Sequence, residues 1–190
     1  RHHLTNALIA VAIAREIGIA QDIVRQGLAR YTPLPGRCQF VTIGPWRVID
    51  DTYNASPTAM AAALEVLANA RVAAGRKRFA VLGDMLELGT AAEAEHVALG
   101  GKAAALRLDG VLACGEAAYA VAQGASRGGL PPGRLVATPQ LDVLLTVLDC
   151  WLEPGDVVLV KGSRGMQMER VIAWLRQRVN EIDDPRLRCA

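Results

Sequence analysis

The 190-residue chain reads as an α/β protein, a mostly parallel sheet covered by helices on both faces. Three observations predict this. First, the strand candidates RFAVL (78–82), GVLA (110–113) and DVVLV (156–160) are short, unbroken apolar runs. Alternating runs would leave one face wet, whereas unbroken ones suit strands buried on both sides. Second, helical patterns separate these runs at intervals of roughly 25 residues, the spacing of βαβ units. Third, each strand ends in a polar tip: DDTYN, GD, CG and KGSR. In a doubly wound sheet such tips share the carboxyl edge, where ligands bind.

Composition sets the outer limits. The chain is 52% hydrophobic and 21% charged with a net charge of +2, which suits a globular core and argues against a nucleic-acid or membrane partner. No apolar run has the length of a membrane span, and no signal-peptide pattern opens the chain. The four cysteines are scattered without a CxxC, as in a reduced, cytoplasmic protein. They suggest neither a disulfide framework nor a metal site. A chain opening at Arg1 instead of Met reads as a fragment or a processed product.

Residues 2–16 carry Leu4, Leu8, Val11, Ala12 and Arg15 at helical spacing and stop at Gly18. A second helix is predicted over 21–29. Two helices of this size cannot bury their apolar faces alone, so an exposed face, open to self-association, is expected. The breakers TPLPGR (32–37) read as a hinge or boundary. Strands follow at 38–43 and 46–50, with Gly44-Pro45 between them as a hairpin turn. The next elements are a helix from Pro57 to about residue 73, the strand 78–82, a helix at 91–106 and the strand 110–113. Then come a helix at 116–124, a strand at 134–137, a helix at 139–152, the strand 156–160, and a last helix at 166–179.

The stretch VIDDTYNASPTAM (48–60) passes from strand through a polar loop into a helix, with Ser56 placed to cap and Pro57 at the first helical position. By chemistry alone it is either a ligand loop or a solvated, capped turn. KGSR (161–164) brings an ammonium, a glycine backbone, a hydroxyl and a guanidinium to a strand end, a set that suits a carboxylate or phosphate. Positive charge at a helix N-terminus is otherwise unfavourable. Asp84 and Glu87 are either a strand-end site or solvated caps, and His96 reads as ordinary helix structure. No P-loop, GxGxxG, metal cluster or Ser/His/Asp spacing is present. The residues by themselves imply an α/β domain for an anionic ligand.

Five motifs in one order carry a resemblance over nearly the whole chain: HHLTNAL, LPGR, DDTYNASPTAM, VLGDMLELG and LVKGSRGMQME. Together they resemble the Mur ligases, and within them the branch that adds D-alanyl-D-alanine. The resemblance implies residues 1–36 as the end of a central ATPase domain and 37–190 as a Rossmann-like C-terminal domain. It implies an ATP-dependent ligase joining D-alanyl-D-alanine to UDP-N-acetylmuramoyl-tripeptide through an acyl phosphate, in peptidoglycan synthesis. By resemblance, Asn6 and His2 lie at the adenine, Arg37 at phosphate or ribose, and Asp51 near the ribose. Tyr53 and Asn54 face the nucleotide and reacting centre. Lys161, Ser163 and Arg164 form the incoming dipeptide's site. His3 stands where the family usually has Asn, and Ser56 where many members have Asn. The family's P-loop, Mg²⁺ ligands and UDP-substrate domain have no counterpart here, so they are expected upstream and this chain alone is expected to be inactive. A non-catalytic nucleotide- or anion-binding module and a folylpolyglutamate-synthase-like ligase are the alternatives.

Overall fold

The structure, a computed structural model, describes the backbone of residues 2–32 and 34–183 and the side chains of 6–32 and 34–181. It divides into two units, Arg1–Leu34 and Pro35–Ala190. The first holds helices α1 (His2–Glu16) and α2 (Gln21–Ala29). Leu8, Ile9, Ile13, Ile17, Ile23 and Leu28 of this unit are all exposed. α2 has no fully buried residue, and among its apolar side chains Ile23 and Leu28 are exposed and Val24 half-buried.

The second unit is a six-stranded sheet in the order β1-β2-β6-β3-β4-β5. Its strands are β1 (Gln39–Ile43), β2 (Trp46–Asp51), β3 (Arg78–Gly83), β4 (Gly110–Cys114), β5 (Leu135–Thr138) and β6 (Val157–Lys161). β1 and β2 pair antiparallel around Gly44, whose φ of 52° suits a hairpin turn. Every other pairing is parallel. The helices are α3 (Pro57–Ala68), α4 (Ala92–Ala105), α5 (Ala118–Arg127), α6 (Leu141–Trp151) and α7 (Glu169–Asp183).

Alternate strand residues feed two separate cores, as the two-residue period of a strand requires. Ile49, Ala80, Leu82, Val111 and Leu159 pack with α3, α4 and α5 on one face. Val48, Phe79, Val81, Leu112, Val158 and Val160 pack with α6 and α7 on the other. This two-sided burial is why the strands read as unbroken apolar runs.

Strand bounds fall within a residue or two of the sequence reading, while several helix ends differ, with α5 and α7 also running on to Arg127 and Asp183, past the expected 124 and 179. α3 stops at Ala68, not near residue 73. Asn69 follows it as the C-cap, and its side-chain amide donates to the Glu65 carbonyl at 2.7 Å. The carbonyls beyond it are claimed by Arg78, which donates to Ala70 O at 3.1 Å, and by Arg47, which donates to Arg71 O. α5 starts at Ala118, not 116, because the amides of Glu116 and Ala117 are held by a side chain from the loop that follows β3. α7 starts at Glu169, not 166: a 3₁₀ turn fills Arg164–Met166 and Gln167 takes a left-handed conformation.

The order of strands places the site. β2 and β3 lead into helices on one face, while β6, inserted between them, leads into α7 on the other. Chains leaving in opposite directions open a crevice at the carboxyl edge. In register, Asp51 at the end of β2 faces Lys161 at the end of β6.

Candidate functional site

The loop leaving β2 divides its polar residues between holding itself and facing outward. Asp50 is buried; its Oδ1 accepts from the Thr52 hydroxyl at 2.7 Å and the Thr52 amide at 3.3 Å, an Asx-type turn. Asp51 accepts from the Cys38 amide at 2.9 Å through Oδ1 and pairs with Lys161 Nζ at 2.7 Å through Oδ2. Lys161 also donates to the Asn54 carbonyl at 2.9 Å. Tyr53 and Asn54 point outward, Tyr53 at 46% exposure. Ser56 caps α3, accepting from the Ala59 amide at 3.4 Å, with Pro57 in the first turn.

The turn Gly36–Cys38 folds against this loop. The Tyr53 amide donates to Gly36 O at 2.9 Å, and the Arg37 guanidinium lies 4.0 Å from the centre of the Tyr53 ring, a cation–π stack. Gly36 has φ +72°, and a Cβ there would sit 3.1 Å from Thr52 Oγ1, so the close approach needs glycine. Burial pushes the Cys38 thiol up, with the Asp51 carboxylate adding to the shift.

At the end of β6, Gly162 lets the strand approach β3: a Cβ would fall 3.0 Å from Gly83 Cα and 2.7 Å from Met168 Cγ. Ser163 is buried. Its amide donates to Asp84 O at 3.0 Å and its hydroxyl accepts from the Leu86 amide at 2.9 Å. Arg164 is exposed and pairs with Glu169 at 2.9 Å. Of the KGSR turn, therefore, only the guanidinium faces solvent, while the ammonium and hydroxyl are engaged internally.

Asp84 is the side chain that delays α5. Its carboxylate accepts from the Glu116 amide at 2.8 Å and the Ala117 amide at 3.2 Å, and Gly115 leaves it room. Burial raises its pKa above the ordinary aspartate value, partly offset by those two amides. His96 is buried, accepting from the Met85 amide at 2.9 Å at Nε2, with Nδ1 2.6 Å from the Ala92 carbonyl. Those partners make it a structural histidine. Glu87 is exposed with a φ of 64°.

The structure thus gathers Arg37, Asp51, Tyr53, Asn54 and Lys161 into one bonded group, with Ser163 and Arg164 on the adjoining turn. Asn6 belongs to the other unit, where it is exposed. The side chain of His2 lies outside the described residues. Sequence reasoning missed Cys38, whose amide ties Asp51 to the Arg37 turn. Its one signal was its place beside the PGR breaker. The division of the loop into inward Asp50 and Thr52 and outward Tyr53 and Asn54 had no signal in the sequence.

Residues 36–164, which hold the whole sheet and its paired polar turns, match the family described as Mur ligase, glutamate ligase domain. The chain belongs to the Mur ligase family. Among individual relatives it is similar to the UDP-N-acetylmuramoyl-tripeptide–D-alanyl-D-alanine ligase of Escherichia coli, at 33% identity over 93% of this chain and 37% of that protein. A solved structure of MurF from Acinetobacter baumannii superposes with a TM-score of 0.82 at 34% identity, covering 93% of this chain and 37% of that one. MurF from Thermotoga maritima, in complex with ADP, gives 0.71 at 28% identity over 90% of this chain and 37% of that one. The chain therefore spans little more than a third of the length of these relatives.

Proposed function

We propose that this chain is the C-terminal part of an ATP-dependent carboxylate–amine ligase that joins D-alanyl-D-alanine to UDP-N-acetylmuramoyl-tripeptide in peptidoglycan synthesis. The observation that carries the proposal is the bonded pairing of the DDTYN loop with the KGSR turn across β2 and β6. It places an exposed Arg–Tyr stack, an exposed Asn and an exposed Arg along one edge in a chain similar to MurF.

In this reading residues 1–36 are the end of the central ATP-binding domain and 37–190 the C-terminal domain. The exposed aliphatic face of α1 and α2 is what the rest of such a domain would cover. Asn6 and His2 serve the adenine, and Arg37 and Asp51 the ribose and phosphates. Ser163 and Arg164, above Lys161, serve the dipeptide carboxylate, for which a guanidinium fork is well shaped. Tyr53 and Asn54 orient the reacting centre. ATP would supply the phosphoryl group that activates the tripeptide carboxylate, with ADP as the leaving group, and the dipeptide amine would displace phosphate from the acyl phosphate with loss of a proton. In this reading the Mg²⁺ ligands belong to the upstream part of the enzyme. Phosphoryl transfer needs such a metal and a phosphate cradle, so this chain alone is inactive. The enzyme works in the cytoplasm and supports cell-wall growth, shape and division. Among the described residues, no helix is long and apolar enough to cross a membrane.

Calorimetric titration with ADP, repeated on Asn6→Ala and Arg37→Ala, tests the nucleotide assignment. Weak binding lost in either variant supports it; tight binding unchanged in both moves the nucleotide elsewhere. Saturation-transfer NMR with D-alanyl-D-alanine against L-glutamate tests the branch. A preference for glutamate would favour the folylpolyglutamate-like alternative.

A further inference from the structure

Lys161 ends the strand that lies between β2 and β3, and its side chain is only 3% exposed. Its ammonium donates to two acceptors, Asp51 Oδ2 at 2.7 Å and the Asn54 carbonyl at 2.9 Å. These are the last residue of β2, just before the loop, and the residue that follows Tyr53. The other oxygen of Asp51 accepts from the Cys38 amide at 2.9 Å. A single ammonium thus fixes both ends of the turn that displays Tyr53. Through Asp51 it also fixes the segment that carries Arg37.

An ion pair buried this deeply is a poor source of stability, since apolar residues of equal volume often do as well. What the pair does provide is geometry. With both ends of the turn tied down, Tyr53 is set beneath the Arg37 guanidinium and Asn54 faces outward. So little of the ammonium is exposed that a ligand has almost no surface of it to approach. We infer that Lys161 is a positioning residue: it sets the conformation of residues 51–55 from beneath and acts on any bound ligand only through that loop. Among the cations at this edge, direct anion contact then falls to the exposed Arg37 and Arg164. The inference rests on the reading of this loop as ligand-facing, and its test separates the two.

Hydrogen-exchange mass spectrometry and urea melts are run on the whole chain, on Lys161→Met, and on the double variant Asp51→Asn/Lys161→Met. Exchange in peptides covering 51–56 is expected to rise about tenfold or more in Lys161→Met, beyond any change in β3 and β4. The double variant, with no charge left buried alone, is expected to recover the urea midpoint while the loop stays fast. Parent-like loop exchange in both variants overturns the inference, as does a double variant that regains loop protection together with stability. ADP titration of the parent and of Lys161→Met forms a separate arm. Lost affinity with unchanged loop exchange means that Lys161 touches the ligand directly, and the inference fails. A loosened loop with unchanged affinity upholds the positioning role and instead removes the nucleotide from this loop.

Discussion

Replacing Gly101 of α4 by alanine should stabilise the chain, while replacing its neighbour Gly100 should destabilise it. In a helix interior the exchange of glycine for alanine gains about 0.5–1 kcal/mol, because glycine loses more backbone freedom on folding. At Gly101 the nearest atom to a new Cβ is Gly124 O at 3.8 Å, an ordinary contact, so the full gain is kept. At Gly100 the Cβ would lie 1.9 Å from Val121 O and 2.7 Å from Ala125 N. Gly124 mirrors this from α5, with a Cβ 1.8 Å from Val97 O. These are backbone atoms, which no rotamer change can move aside. The two helices would have to separate by roughly 1.5 Å along their contact, and overpacking of this kind costs about 1–3 kcal/mol, the upper part applying where backbones meet. Net of the helix gain, Gly100→Ala should lose about 1–2 kcal/mol. For a chain of this size that lowers Tm by about 3–6 °C, against a rise of about 1–3 °C for Gly101→Ala. Urea melts followed by circular dichroism, with m-values compared, measure both. Equal stabilisation by the two substitutions would refute the close helix packing on which the reasoning stands.

Asp156, fully buried at the start of β6, accepts from the Lys77 amide at 2.8 Å and the Glu153 amide at 2.9 Å. Asp156→Ala should therefore lose about 1–3 kcal/mol by leaving the part-buried Lys77 and Glu153 amides without their acceptor, with Asp156→Asn milder; a loss under about 0.5 kcal/mol by urea melt would discount those bonds. Asp84 has a raised pKa, so the folded state holds its proton more tightly than the unfolded chain, and this residue subtracts stability as pH rises from the ordinary aspartate value through its folded value. The stability of Asp84→Asn relative to the parent should accordingly climb as pH rises above the ordinary aspartate value, and a flat or falling difference in urea midpoint would show the burial effect to be absent. Site-resolved alkylation should label exposed Cys150 about tenfold or more faster than Cys38 and Cys114, both buried with thiols pushed up by desolvation; comparable rates at all three would contradict the packing around β2 and β4.

Much of the candidate site was legible because its signals are local. A strand running into DDTYN, a capping Ser56 and a following Pro57 specify a strand–loop–helix junction whatever surrounds them. KGSR after DVVLV does the same. What each side chain does there was not legible, because that depends on neighbours far along the chain. Lys161 looks in sequence like a free cation among anion-binding groups. Its partner Asp51 is 110 positions away, on a strand that only the fold puts beside it. Asp84 looks like a cap for its own helix, and instead holds the amides that precede α5.

The sequence alone determined the alternation of helix and strand, the two-sided burial of the sheet and the collection of polar tips along one edge. Each follows from the spacing of apolar residues and from breakers a few positions apart, which act on the chain locally. The tertiary structure alone decided that β6 enters between β2 and β3. With that came the pairing of Lys161 with Asp51, the stack of Arg37 on Tyr53, and the early stop of α3. Strand order is the outcome of competition among apolar surfaces of nearly equal pattern. It is settled by how helices of particular size fill the two faces, including the glycine contact between α4 and α5, and no local spacing encodes it.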